Sequence, residues 1–299
     1  MSATRDAQYD LLRRVASLSV WRRGSRRAPH KPLLFLLALG SARRGTDRIQ
    51  PFSSIEEPLS ALLRKYGPPA GTVHPEYPFW WLRSGGFWEV EHAPPLARRR
   101  SSNDPTRTSL RAHASGGFTT AAYALLTHDA AFAAKCASSL LRDHFPPSLH
   151  GDILADVGLC DLDIERAASR DARFRAATIE AYGHCCAICG FDVKLGNGVD
   201  LAIEAAHLKW HQAGGPDIVP NGLALCSIHH KALDLGAVSL DADFRIVISA
   251  AAYGHSALSR WFLRFHGRPL RPSHSRALWP DPAFVAWHRR EVFRTPARD

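Results

Sequence analysis

Two short segments hold side chains at spacings that can close around a metal. CAIC at 186–189 and CSIH at 226–229 each carry two ligand-type residues separated by two others, and Cys189 and Cys226 are 37 positions apart. Such a knuckle lets two thiolates meet one tetrahedral zinc, and a second knuckle closes the shell. Cys186, Cys189, Cys226 and His229 would fill all four positions, which leaves no room for a substrate and makes the zinc structural. The plainer alternative is a set of buried free thiols, which two paired knuckles disfavour. Cys185 adjoins the first knuckle, but its spacing to Cys189 fits less well, and it reads as a non-ligand. Beside the knuckles stand His207 in the strand-like LAIEAAHLKW, Asn221 in PNGLAL, and His230 directly after the last ligand. Each alone has a dull explanation: a satisfied structural histidine, or a turn at Asn-Gly.

Together they form an order of strand His, loop Asn and helix His, interleaved with the zinc pairs. In this order the chain resembles the HNH endonucleases across residues 167–248, through AYGHCCAICG, IEAAHLKW, NGLALCSIHHKALDLG and the strands VSLD and FRIVIS. Phosphodiester hydrolysis needs an activated water, neutralised phosphate charge and help for the leaving oxygen. The resemblance implies that His207 is the general base, a role suited to a near-neutral pKa. It implies that Asn221 orients the loop and imidazole, and that His230 ligates a divalent cation at the scissile phosphate. One departure stands out. Many members carry Asp immediately before the base histidine, where this chain has Ala206. Glu204 lies two residues earlier on the same strand face, and it reads either as a metal ligand, direct or through water, or as a salt-bridge partner on a strand edge. A loose, water-rich site of this kind suits Mg2+, Mn2+, Co2+ or Ni2+.

These residues need elements to hold them, and the chain is long enough for two domains. At 299 residues, with 45% hydrophobic and 22% charged residues, it has the composition of a globular protein. Its longest apolar run, PLLFLLALG at 32–40, falls well short of the roughly 18 residues a membrane span needs. The first residues, MSATRDAQYD, have no apolar signal core, and three of six cysteines crowd together, so the chain reads as cytoplasmic. The net charge of +10 is uneven: residues 1–160 hold 21 Lys and Arg against 13 Asp and Glu, residues 161–299 hold 17 against 15. An Arg-rich surplus points to nucleic acid as the acidic partner, with a merely solvated surface as the alternative.

Residues 9–21 (YDLLRRVASLSVW) have apolar residues at helical spacing, RRGSRR interrupts, and a buried helix starts near Pro32. Short helices are expected at 57–66, 121–126 and 129–141. Residues 68–92 are rich in Gly, Pro and aromatics, with Trp80, Trp81 and Trp88 in strand-like company. A boundary falls near 161–169, where a new helix (RFRAATIEAYG) leads into the cysteine cluster, and the Arg-, Trp- and Pro-rich tail beyond Ser256 reads as packed.

The N-terminal half, through RRAPHKPLLFLLALG, HPEYPFWWLRSGGFWEV and SGGF, is similar to the sulfur-binding domain of phosphorothioation-dependent restriction endonucleases. Members recognise DNA in which sulfur replaces a non-bridging phosphate oxygen. Sulfur is larger, more polarisable and less hydrated than oxygen, so a shallow apolar pocket favours it over phosphate. The resemblance assigns that pocket to Tyr77 and Pro78 with Trp81 beside them, although Trp81 is bulky where relatives can be small. It implies that His30 and Lys31 hold flanking phosphate oxygens and approach bases, with Arg26, Arg27 and Arg98 to Arg100 against the backbone or grooves. On the residues alone, the aromatics could equally be a core around a small sheet.

The expected fold is α+β: a mixed α/β sulfur-binding domain over residues 1–162, then a zinc-stapled ββα-metal nuclease domain with a C-terminal extension over 163–299. The expected function is a type IV restriction endonuclease that binds phosphorothioated duplex DNA and hydrolyses nearby phosphodiester bonds. Two chains acting together, as a homodimer, would supply double-strand cleavage from one site per chain. The alternatives are an HNH endonuclease reading another modification such as methylcytosine, and a non-catalytic zinc-containing DNA-binding protein.

Overall fold

A computed structural model of the chain describes residues 2–18, 20–23, 26–69, 72–164, 172–196 and 198–299, with the side chains of 2–3 and 21–28 outside the description. It divides into two compact units, Met1–Arg166 and Ala167–Asp299. No helix among the described residues is long and apolar enough to cross a membrane.

The first unit is built around the helix His30–Arg43. Leu33, Leu34, Phe35, Leu36 and Leu39 are all fully buried there, so the helix is apolar all round and must be surrounded. Each such side chain contributes about 1.5–3 kcal/mol by leaving water. The helices Phe52–Tyr66, Glu76–Trp81, Thr120–His128, Ala130–His144 and Pro147–Val157 pack on it. A three-stranded antiparallel sheet, in the order Ile49–Pro51, Ala114–Phe118, Trp88–His92, closes the core through Phe118 and Phe87 against Phe35. A Cβ on Gly40 would lie 1.8 Å from the Val157 carbonyl oxygen, so only glycine lets that helix end approach.

Two expectations need correction here. The N-terminal helix is Ser2–Ala16 and does not reach Trp21, which opens a short strand. The arginine-rich stretch Arg26–Ala28 pairs antiparallel with Trp21–Arg23, and backbone pairing there ends the helical course. Trp80 and Trp81 belong to a helix, Glu76–Trp81, and only Trp88 lies in a strand. Pro75 caps that helix and Pro78 stands in its first turn, where a missing N–H costs nothing. The consecutive burial of Phe79 and Trp80, with Leu82 after them, then replaces the alternation a strand would show.

The second unit opens with the helix Ala172–Ala181 and the cysteine turn. Strand Ile203–His207 pairs antiparallel with Gly222–Cys226, setting His207 opposite Gly222 and Glu204 opposite Leu225. Helix Ser227–Asp234 follows without a loop, which completes a ββα unit. Ala206, Leu208, Leu223, Leu225 and Leu233 form its core with Ile179 and Val285. The tail is packed. Its helix Pro282–Glu291 lies on the strand Val238–Leu240, and buried His288 bonds Ser239 Oγ at 2.8 Å and the Leu233 carbonyl at 3.0 Å.

Candidate active site, zinc centre and DNA-binding face

The ligand atoms of Cys186, Cys189, Cys226 and His229 all lie within 4.8 Å of one another. Cys189 Sγ is 3.9 Å from Cys226 Sγ, and His229 Nδ1 is 3.6 Å from Cys186 Sγ and 3.2 Å from Cys226 Sγ. Donors around tetrahedral zinc stand about 3.4–3.8 Å apart, so the donor set and spacing fit that ion. His229 Nε2 donates to the Trp261 carbonyl at 2.8 Å, which leaves the lone pair on Nδ1. Cys185 turns away, its thiol on the Gly190 carbonyl. With all four donors on protein, an ion there has no open position.

His230 follows His229 and points the other way. Its Nδ1 lies 2.5 Å from Glu204 Oε2 and its Nε2 3.2 Å from Asp234 Oδ2. Burial opposes a charge on this ring, yet Asp234 and Glu204 at its two nitrogens push it up to about 10. Glu204 is held below the usual carboxylate range by the hydrogen bond from His230, and Ser227 Oγ donates to its other oxygen at 2.8 Å. It is an ion-pair partner of His230, and it also presents oxygen beside a ring nitrogen. Glu204 and His230 are an oxygen and a nitrogen donor that would hold a divalent cation once the ring gave up its Nδ1 proton, and the cation would supply charge neutralisation there. Asp234 would then accept the Nε2 proton behind the ligand, a carboxylate–histidine–metal arrangement. Asp234 was missed in the sequence, although its signal, a carboxylate four residues after His230 on one helix, was present.

His207 ends its strand with Nε2 2.8 Å from Asp217 Oδ1, and Phe174 stacks on the ring with centroids 4.1 Å apart. Burial lowers the His207 pKa, opposed by Asp217. Asn221 is fully buried. Its Oδ1 accepts from the Lys209 amide at 2.8 Å, and its Nδ2 donates to the Lys209 and Pro216 carbonyls, both at 2.9 Å. One side chain thus ties both ends of the loop after His207. A Cβ on Gly215 would sit 1.8 Å from the Lys209 carbonyl oxygen, so this closure also requires glycine.

In the first unit, the start of helix His30–Arg43 packs on helix Glu76–Trp81. Lys31 Nζ donates to Ser84 Oγ at 3.3 Å, and Ser84 donates to the Trp81 carbonyl. Burial and the neighbouring His74 push His30 down to about 4, and burial lowers Lys31. Tyr77 is half-buried, Pro78 is buried, and Trp81 is 44% exposed. Arg99 donates to the Tyr77 hydroxyl and to buried Glu76, both at 2.6 Å, while His74 meets the same Glu76 oxygen at 2.9 Å. Arg83 stacks over Trp80 at 3.6 Å. His30, Lys31, Tyr77, Pro78 and Trp81 therefore lie on two packed elements. Arg98 bonds the Asn103 carbonyl, and Arg100 is exposed. The side chains of Arg26 and Arg27 lie outside the described residues. The link from half-buried Arg99 to buried Glu76 behind Tyr77 has no periodic signature and was not foreseen.

Residues 186–241, which contain the zinc-compatible Cys3His cluster and the ββα unit, match the HNH endonuclease family. Residues 8–162, more than half of the chain, match the family described as ScoMcrA-like, DNA sulfur-binding domain, and the chain belongs to that family. Among solved structures, the sulfur-binding domain of ScoMcrA in complex with phosphorothioated DNA is 32% identical, with a TM-score of 0.44, covering 50% of this chain and 96% of that one. The corresponding domain of SprMcrA, also with phosphorothioated DNA, is 27% identical, with a TM-score of 0.43, covering 53% and 98%. The type IV phosphorothioation-dependent restriction endonuclease ScoMcrA is 33% identical with a TM-score of 0.43, over 50% of this chain but only 32% of that longer protein. No curated protein sequence matches the chain.

Proposed function

We propose that this chain is a cytoplasmic type IV restriction endonuclease whose residues 1–162 bind phosphorothioated duplex DNA and whose residues 163–299 cleave phosphodiester bonds nearby. The observation that carries this reading is the fusion itself: a DNA sulfur-binding domain over residues 8–162 and an HNH endonuclease domain over 186–241 in one chain. On the docking face, Tyr77, Pro78 and Trp81 surround the sulfur, and His30 and Lys31 take the flanking phosphate. His30, neutral at pH 7, acts there as a hydrogen-bonding group and not as a cation.

At the cleavage site His207 is the general base, Asn221 holds the loop behind it, and His230 with Glu204 holds the divalent cation, Mg2+, Mn2+, Co2+ or Ni2+. When bound, that cation supplies charge neutralisation at the scissile phosphate. Cys186, Cys189, Cys226 and His229 hold a structural zinc. Two chains on one DNA site account for cutting both strands, and sedimentation of the DNA-bound enzyme as a single chain would count against this. The deciding experiment digests matched plasmids with and without phosphorothioate, in each of the four metals, with wild type and His207→Ala. Cleavage of the modified plasmid only, lost in the variant, is expected. Equal cleavage of both plasmids sinks the sulfur reading, and an unimpaired variant sinks the catalytic one.

A further inference from the structure

Most of what surrounds His207 comes from residues that the HNH order does not contain. Its Nε2 meets Asp217 Oδ1 at 2.8 Å, and its ring lies against Phe174 with an interplanar angle of 20°. Asp217 follows directly on Pro216, whose carbonyl is one of the groups tied by buried Asn221. The loop that brings Asp217 to the ring is thus clamped at Lys209 and at Pro216 by a single amide. Among the described residues, Nδ1 of His207 has no hydrogen-bond partner, and the side chain is 23% exposed.

A carboxylate only accepts, so the nitrogen facing it carries the proton and the lone pair of the neutral ring falls on the other nitrogen. We infer that Asp217 is the positioning residue of the cleavage site, selecting Nδ1 of His207 as the basic atom, and that Asn221 acts on the chemistry by fixing the loop on which Asp217 rides. This rests on the reading of His207 as the base. In the step itself a water molecule gives one proton to Nδ1 while its oxygen forms a bond to phosphorus. The bond from phosphorus to the 3′-oxygen breaks, and that oxygen takes a proton from solvent. The Nε2 proton stays between ring and carboxylate, where Asp217 stabilises the imidazolium that forms.

Other charged groups face the ring as well. His211 Nδ1 lies 3.4 Å from the same Asp217 oxygen and opposes a charge on His207, while Asp234 of helix Ser227–Asp234 favours it. Helix Ala172–Ala181 presents Phe174, with Arg175 turned to the Ile203 carbonyl, and the partner strand places Gly222 opposite. Asp217 is the one of these groups bonded directly to the ring.

The test is single-turnover cleavage of a phosphorothioated duplex by the full-length enzyme from about pH 5 to about pH 9, across the ordinary range of histidine. Wild type is compared with Asp217→Asn, Asp217→Glu and His207→Ala, and bound zinc and duplex binding are measured to establish that each variant is folded. Asp217→Asn is expected to lower the rate about 10- to 100-fold. It should also move the acidic limb of the profile to lower pH, because the ring has lost its carboxylate. Nitrogen-15 spectra of His207 should shift from the Nε2-protonated tautomer towards the Nδ1-protonated one. Asp217→Glu should recover part of the loss. A rate deficit with an unmoved limb and an unchanged tautomer overturns the inference, because Asp217 would then act only on structure. Wild-type behaviour of Asp217→Asn beside a dead His207→Ala also overturns it and leaves the base assignment standing. Full activity of His207→Ala would instead remove the base assignment itself.

Discussion

The candidate cleavage site beside the Cys3His cluster and the candidate DNA-binding face of the first unit are held together in opposite ways. In the second unit, neighbours in sequence are neighbours in space. His229 faces the Cys3His cluster, His230 faces Glu204 and Asp234, and one helix turn orients both. In the first unit, Tyr77 is held by Arg99 and Glu76 behind it, through hydrogen bonds from a segment 22 residues further on. One site hangs on a turn gathered around four metal-type ligands and the other on an ion pair between buried Glu76 and half-buried Arg99. Their tolerance of change should differ accordingly.

The largest effect is expected from Cys189→Ser. Structural zinc in small domains carries apparent binding free energy on the order of 10 kcal/mol, much of it folding energy. The variant should lose bound zinc, the cooperative melting of the second unit and all nicking, while still binding phosphorothioated duplex. A variant that keeps its melting transition would break the contrast, because the turn would then stand without metal.

A smaller effect is expected at the other site. Arg99→Met keeps an unbranched apolar stem and removes the donors to Tyr77 and Glu76. Hydrogen bonds to charged groups contribute about 1.5–3 kcal/mol, so affinity for phosphorothioated duplex should fall about tenfold or more. Cleavage of phosphorothioated duplex at saturating enzyme should be little affected. If plain and modified duplexes lose affinity equally, Arg99 serves general DNA contact and not the Tyr77 pocket.

The smallest effect tests the packed tail. His288 is buried and its pKa is pushed down to about 4 by desolvation. The unfolded chain therefore takes up a proton that the folded one refuses, and stability falls as pH drops from about 6.5 towards 4. The loss should reach about 1 kcal/mol by pH 6, read from urea unfolding of the second unit. Protonation of the His288 ring at pH 6 by NMR would contradict this.

The mixed α+β fold, the cysteine knuckles and the HNH order were legible in the sequence because each is short-range. Ligand spacing, strand alternation at Glu204 and Ala206, and the helix that follows Cys226 are all set within a few residues. The all-round apolar helix after Pro32 was legible for the same reason. The aromatic segment at 76–81 was not, because buried tryptophans read alike in a strand and in a short helix, and only packing against helix His30–Arg43 selects the helix. Asp234 could have been found by its spacing from His230. Asp217 could not, since nothing local distinguishes it from a solvated loop carboxylate.

The sequence by itself determined which residues could ligate a metal or accept a proton, since side-chain chemistry and spacing are local properties. The tertiary structure alone decided which partner each would have. Asp217 reaches His207 because buried Asn221 folds the intervening loop back, and Arg99 reaches Tyr77 because buried Glu76 draws it in. Both placements follow from burying polar groups that must find hydrogen bonds, a condition that only the assembled core imposes.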